Sequence, residues 1–180
     1  MAAELRKGGE VHKVLDIAAG HGIFGISAAK ENPVAHIYAC DWKGVLEVAR
    51  QNAQAMGVAD RYHLLPGSAF EIDFGTGYDL ALITNFLHHF DPGTCTAFMT
   101  KVHGALNPGG RAAIAELVPN PDRITPPTAA AFSMKMLATT PAGDAYTFAE
   151  LESISKDAGF ARVELAPPEI GLDRLVIAYR

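Results

Sequence analysis

The stretch Val14-Leu15-Asp16-Ile17-Ala18-Ala19-Gly20-His21-Gly22-Ile23-Phe24-Gly25 constrains the fold of this chain more than any other. An apolar run fit for a buried strand passes into a turn with almost no side-chain bulk and then opens a helix. Glycine adopts turn conformations that a Cβ hinders, and small residues let the backbone N–H groups at a helix start approach a ligand. Strand, glycine loop and helix in that order build a nucleotide-type site at the carboxyl edge of a parallel sheet.

Two nucleotides compete for it. Gly20, Gly22 and Gly25 satisfy G-x-G-x-x-G, and Asp41 follows about 20 residues after Gly20, as a dinucleotide site requires. Asp16 points the other way, because it is an acid at the strand end, before the glycines. A carboxylate there repels a pyrophosphate and attracts an ammonium or a sulfonium. The pattern hydrophobic-Asp-x-small-x-Gly-x-Gly resembles motif I of the class I S-adenosylmethionine (SAM)-dependent methyltransferases, which implies SAM as cofactor with Asp16 near its cationic methionine end. The alternative for Asp16 is a solvated strand-end acid.

Strand and helix signals alternate from there on. Val11–Ala18, Val34–Cys40, Tyr62–Leu65, Tyr78–Thr84 and Arg111–Val118 are expected strands, with helices at Ile23–Glu31, Lys43–Met56 and about Thr94–Leu106. Asn32-Pro33 and Gly57 stop the first two helices, and Asn107-Pro108-Gly109-Gly110 is expected to be a turn. Val118–Thr128 holds four prolines and is expected to be a loop. Ala129–Leu137 is a short helix, and Thr147-Phe148-Ala149-Glu150 is a capping box opening a helix through Asp157. Arg162–Leu165 and Arg174–Tyr179, joined by a turn around Pro167–Gly171, form an antiparallel hairpin. The whole resembles the methyltransferase sheet: an α/β, Rossmann-like, seven-stranded, mostly parallel sheet with helices on both faces and an antiparallel C-terminal hairpin. Residues 1–180 are expected to be one catalytic domain.

The resemblance implies a cofactor set of Asp16, Ala18, Gly20, Gly22, Asp41, Trp42, Ser68, Ala69, Phe70 and Asn85. Asp41 ends the second strand, where the family holds both ribose hydroxyls through two coplanar carboxylate oxygens. Trp42 is assigned to an adenine face, with half-buried packing as its alternative. Gly67-Ser68-Ala69-Phe70 matches Gly-Asp-x-Phe except that Ser68 replaces the acid that meets the adenine amine, and a hydroxyl accepts more weakly. Phe70 packs beside the purine or fills the core, the core being slightly preferred. Ala18 stands where many relatives carry the first Gly of the loop, at little cost unless φ must be positive.

On the acceptor side the demand is for a base. A phenol with a pKa near 10 is about 0.1% ionised at neutral pH, so a group titrating near 7 speeds its methylation. Asn85-Phe86-Leu87-His88-His89-Phe90-Asp91 follows the fourth strand. Here the chain resembles the catalytic domain of the caffeic-acid and hydroxyindole O-methyltransferases and their bacterial relatives, whose Leu/Cys-His-Asp-Trp motif maps the base onto His88. That family orients its base with a carboxylate at the end of the fifth strand, where Glu116 stands. A second family Glu is replaced here by Asp144-Ala145, shifted or lost. Met136, rather than Met134, matches the Met that brackets the acceptor ring, the plain alternative being core packing. In the plain alternative for His88, the ring packs or bonds the backbone. Adjacent histidines without a nearby third ligand do not make a metal site, so no metal is expected.

With 180 residues and a net charge of −5, scattered basic residues and no basic run, the composition argues against nucleic-acid and anionic-membrane partners. Cys40 and Cys95 lack framework spacing, and no apolar leader or span is evident, so a cytoplasmic location is expected. Relatives of this type carry an N-terminal helical dimerisation domain, and about ten residues precede the first strand here. The expectation is a fragment or a free-standing domain, with homodimerisation through an exposed apolar groove. The expected function is SAM-dependent O-methylation of a small aromatic or polycyclic hydroxyl compound. C- or N-methylation on the same fold, a non-catalytic SAM-binding module and a nicotinamide-dependent dehydrogenase remain as alternatives.

Overall fold

A computed structural model describes residues 10–167 and 173–180. In chain order its elements are β1 (Lys13–Ile17), α1 (Ile23–Glu31), β2 (His36–Asp41), α2 (Lys43–Ala55), β3 (Tyr62–Pro66), β4 (Tyr78–Thr84), α3 (Pro92–Ala105), β5 (Leu106–Glu116), α4 (Pro127–Thr139), α5 (Phe148–Asp157), β6 (Arg162–Leu165) and β7 (Arg174–Tyr179). Single 3-10 turns cover Ala59–Arg61 and Leu87–His89. The seven strands are ordered β3-β2-β1-β4-β5-β7-β6. β1 with β2 and β2 with β3 run parallel, whereas β6 and β7 run antiparallel. The α/β sheet with a reversed C-terminal hairpin is the one the strand and helix signals imply. The turn expected around Pro167–Gly171 lies, from residue 168 on, outside the described residues. Among those residues no helix is long and apolar enough to cross a membrane.

The chain divides into two compact units, Met1–Leu82 with Ala105–Arg111, and Ile83–Gly104 with Ala112–Arg180. In the first, Leu15, Ile17, Ile26, Ile37, Leu46 and Leu80 are fully buried. Helix α1 approaches Asp16 and Ile37 closely at Gly25: a Cβ there would sit 2.5 Å from Asp16 Oδ2 and 2.8 Å from Ile37 Cγ2. Carbonyls in the last turn of α1 accept from side chains, Ala28 O from Asn32 Nδ2 at 3.0 Å and Ala29 O from Arg61 Nη1 at 3.3 Å. In the second unit, Leu87, Met99, Val102, Leu151 and Val176 form the buried interior. The capping box is present at α5: Glu150 N donates to Thr147 Oγ1, and Thr147 N donates to Glu150 Oε2 at 2.8 Å. Such a cap stabilises by about 1 kcal/mol.

One boundary differs in kind. Asn107-Pro108-Gly109-Gly110, expected as a turn, lies inside β5. Asn107 Nδ2 donates to Gly77 O at 3.1 Å and to Asp79 Oδ1 at 2.9 Å, which ties the segment to the start of β4. Gly109 absorbs the bend with φ +79. A side-chain anchor thus keeps in the strand what Pro and Gly content alone would release.

Candidate active site

The glycine loop lies within the first unit. Ala18, Gly20 and Gly22 have φ of +53, +56 and +81. The exception allowed for Ala18 therefore applies, because this position does require the left-handed region, where a Cβ is disfavoured. At Gly22 a Cβ would fall 2.6 Å from the Tyr62 hydroxyl and 3.0 Å from Ala49 Cβ, so only glycine fits without displacement. At Gly20 the nearest atom to such a Cβ is Ala18 O at 4.0 Å, so the loop is open there.

Asp41 closes the loop. Its Oδ2 accepts from Gly20 N at 2.9 Å and its Oδ1 from Trp42 N at 2.7 Å. Each oxygen keeps a lone pair, and the residue is only partly buried, so a fixed pair of acceptors faces outward. Trp42 is 63% exposed and Phe70 is 40% exposed. Half-buried packing for Trp42 and core filling for Phe70 are thus both overturned, because each ring follows a strand end where the chain leaves the sheet. Ala69 is buried, and Ser68 Oγ accepts from Phe70 N at 3.3 Å.

Asp16 is not the solvated acid of the plain alternative. It is fully buried, its Oδ2 accepts from Gly25 N at 3.0 Å, and its Oδ1 has no partner. Burial pushes its pKa from 3.8 up to about 7, opposed by the Gly25 hydrogen bond and assisted by the negative charge of Asp41. The Tyr62 hydroxyl is also buried without a partner, and burial together with Asp16 and Asp41 raises its pKa. Two unpartnered buried polar atoms of one unit, an acid oxygen and a phenol, thus belong to residues of this loop region. No sequence signal singled out Tyr62, because only the fold places β3 under Gly22.

The second unit carries the candidate base. His88 and Glu116 are 5% and 4% exposed, and His88 Nδ1 lies 2.6 Å from Glu116 Oε2. Glu116 Oε1 accepts from both Phe86 N and Leu87 N at 2.9 Å. An ionised carboxylate only accepts, so Nδ1 carries the proton and Nε2 of the neutral ring presents a lone pair. One carboxylate therefore fixes both the turn that bears His88 and the tautomer of its ring. The Phe132 ring stands edge-on to the His88 ring, centroids 4.8 Å apart. Phe132 was missed in the sequence, although its i, i+4 spacing to Met136 on α4 could have found it.

Met136 is buried, whereas Met134 is exposed. His89 is exposed, its ring 4.2 Å from that of His88. Asn85 follows β4 with φ +51, its N–H donating to Ala115 O at 2.9 Å. Asp144 does not substitute for the missing second acid, since its hydrogen bonds go to Arg123 Nη1 at 2.9 Å, to the Ser133 hydroxyl and to Ala145 N.

Comparison with known proteins gives the family. The family model described as an O-methyltransferase domain matches residues 5–161. A 3-hydroxy-5-methyl-1-naphthoate 3-O-methyltransferase from Streptomyces sahachiroi is 29% identical over 153 residues, 85% of this chain and 44% of that protein. The structure of a candidate O-methyltransferase from Nostoc punctiforme superposes with a TM-score of 0.96 at 52% identity, covering 99% of this chain and 54% of that one. An O-methyltransferase family 2 protein from Planctomyces limnophilus, solved in complex with apigenin, gives a TM-score of 0.86 at 27% identity over 93% of this chain and 50% of that one. The chain thus spans less than half the length of the curated relative and about half that of the solved structures.

Proposed function

The chain belongs to the O-methyltransferase domain family, and on that footing we propose that it takes part in SAM-dependent methylation of a hydroxyl on a small aromatic molecule. The acceptor class follows the naphthoate named for the Streptomyces relative and the apigenin in complex with the Planctomyces protein. Both units are taken as parts of one catalytic domain. A homodimer is proposed alongside, from the exposed Met134 and Leu137 of α4, and sedimentation reads it directly. A cytoplasmic setting is part of the same reading, from Cys40 and Cys95, which are buried and in no disulfide.

The loop residues fit the cofactor. Asp41 offers two fixed acceptors for a ribose diol, Gly20 and Gly22 leave the backbone accessible, and the unpartnered Oδ1 of Asp16 awaits a positive or donating group. Ser68, Ala69, Phe70, Trp42 and Asn85 complete the proposed set, the two exposed rings supplying apolar faces for a purine. When bound, SAM supplies a methyl group already activated on a sulfonium. What remains for the protein is to hold the acceptor and remove its proton.

His88 does the second task in this reading. Its Nε2 takes the hydroxyl proton while Glu116, held by two backbone amides, stabilises the imidazolium. A positioned base of this kind contributes about 10²–10⁴ in rate. Met136 and Phe132 supply apolar surface for the acceptor ring. The observation that carries the proposal is the buried His88–Glu116 pair. Methyl transfer from SAM to 3-hydroxy-5-methyl-1-naphthoate tests it: His88→Ala is expected to lose about 10²-fold or more in kcat with SAM affinity unchanged. Undiminished transfer would remove the base role and leave C- or N-methylation with a structural His88.

A further inference from the structure

The 3-10 turn that carries His88 is gripped from two sides. On its amide side, Phe86 N and Leu87 N both donate to Glu116 Oε1 at 2.9 Å. On its carbonyl side the contacts come from α3 and from the strap of residues 140–147 that joins α4 to α5. Cys95 Sγ donates to Leu87 O at 3.3 Å, and the Tyr146 hydroxyl donates to Phe90 O. Between them the backbone of buried Gly143 presses on the turn: a Cβ there would lie 2.2 Å from His88 O and 3.0 Å from His89 C. Those separations are far below van der Waals contact, and the clashing atoms are backbone, which cannot swing aside.

The strap is itself held at both ends. Gly143 N donates to Thr140 Oγ1 at 2.8 Å, and Thr140 Oγ1 donates to Met136 O at 2.8 Å, which joins the strap to the proposed acceptor-facing turn of α4. At the far end Thr147 caps α5, and Arg123 bridges Asp144 and Glu150. Tyr146 is buried, and burial raises its pKa, so its hydroxyl remains a donor at any working pH.

We propose that Gly143 and Tyr146 are positioning residues that press the Leu87–His89 turn onto Glu116, so that the His88 ring keeps its 2.6 Å bond to the carboxylate. Gly143 does this by having no side chain, which lets two backbones meet, and Tyr146 does it by restraining the carbonyl just past the turn. The reasoning extends to the α4 end: a shift of Met136 propagates through Thr140 Oγ1 to Gly143 and so to the base. It rests on the reading of His88 as the base, but the geometry it predicts can be measured without turnover.

The test uses the full chain with 15N-labelled histidine. The Nδ1–H proton of His88, bonded to a buried carboxylate, is expected well downfield, and its loss in His88→Ala assigns it. Gly143→Ala is expected to displace that resonance and to lower kcat toward 3-hydroxy-5-methyl-1-naphthoate by about tenfold or more, with KM for SAM within about twofold. Tyr146→Phe keeps the ring volume and is expected to move both readouts the same way, by less. Val163→Ala, in β6, serves as a stability control that lowers Tm and leaves the resonance in place. If folded Gly143→Ala keeps the wild-type resonance and kcat, the proposal is overturned. If that variant does not fold, the same null result in Tyr146→Phe overturns it. Full turnover in His88→Ala would end the base reading alone, because the resonance still reports whether the strap positions the ring.

Discussion

Replacing Asp16 by Asn is expected to make the protein more stable, and more so as the pH rises. Asp16 is fully buried, its single hydrogen bond comes from Gly25 N, and its Oδ1 has no partner. Its pKa in the folded chain is raised from 3.8 to about 7, whereas in the unfolded chain it returns to about 3.9. Between those two values the unfolded chain has released the proton and the folded chain still holds it, so stability falls as pH rises. At about 1.4 kcal/mol per pH unit over about three units, the loss approaches 4 kcal/mol near pH 7 and levels off above it. Total stabilities run to about 5–15 kcal/mol, so the effect is large. Asn reproduces the protonated acid, with an oxygen for Gly25 N and an amide where the acid carries its hydroxyl. Urea unfolding of both proteins from about pH 5 to about pH 8 should show the gap in favour of Asp16→Asn widening by about 3 kcal/mol. A gap that stays constant within about 1 kcal/mol would refute the claim that Asp16 titrates inside the fold.

The same acid links cofactor binding to pH. If SAM meets Asp16 as a cation and requires it ionised, calorimetry should find binding about tenfold tighter near pH 8 than near pH 6, and Asp16→Asn should flatten that difference; equal slopes in the two proteins would sink the link. Ala18→Gly should stabilise by about 0.5–1 kcal/mol, since relief of a left-handed Ala, about 1–2 kcal/mol, exceeds the added chain entropy of glycine; a lower urea midpoint would contradict it. Glu116→Gln should cost a factor on the order of 10²–10⁴ in kcat. The Gln oxygen would stay with Phe86 N and Leu87 N, leaving an NH₂ group facing Nδ1 of His88, which forces the proton to Nε2 and abolishes the acceptor lone pair; unchanged kcat in the naphthoate assay would reject the tautomer argument.

Much of this arrangement is legible in the residues themselves. Strand and helix alternation is local, and the β1–loop–α1 motif contains its own turn chemistry, so element order and the glycine loop could be read directly. The pairing of His88 with Glu116 is legible for a different reason: the resemblance to the O-methyltransferase family implies it, and the structure places the two side chains 2.6 Å apart. The failures share a cause. Whether Ala18 must take a positive φ, whether Trp42 and Phe70 are covered, and whether Asn107-Pro108-Gly109-Gly110 leaves the sheet all depend on atoms distant in sequence.

Asp16 shows most clearly what the one-dimensional argument lacked. Its position marks an acid at a strand end, but burial, which the position does not reveal, is what decides its charge. With Gly25 packed so close that a Cβ would sit 2.5 Å from Oδ2, water has no access on that side and one amide is all the stabilisation the carboxylate receives. The resulting acid is neutral or charged near pH 7 according to what approaches it. The same residue that disfavours a pyrophosphate is therefore electrostatically adjustable, and a cation nearby would draw its proton off. His88 is the opposite case: its carboxylate partner is braced by two amides, so the His88–Glu116 pair is set before any acceptor arrives. One unit thus carries a carboxyl that a cationic cofactor would have to ionise on the proposed reading, and the other the proposed base, already oriented, which is why pH is expected to act on donor affinity and substitution at Glu116 on turnover.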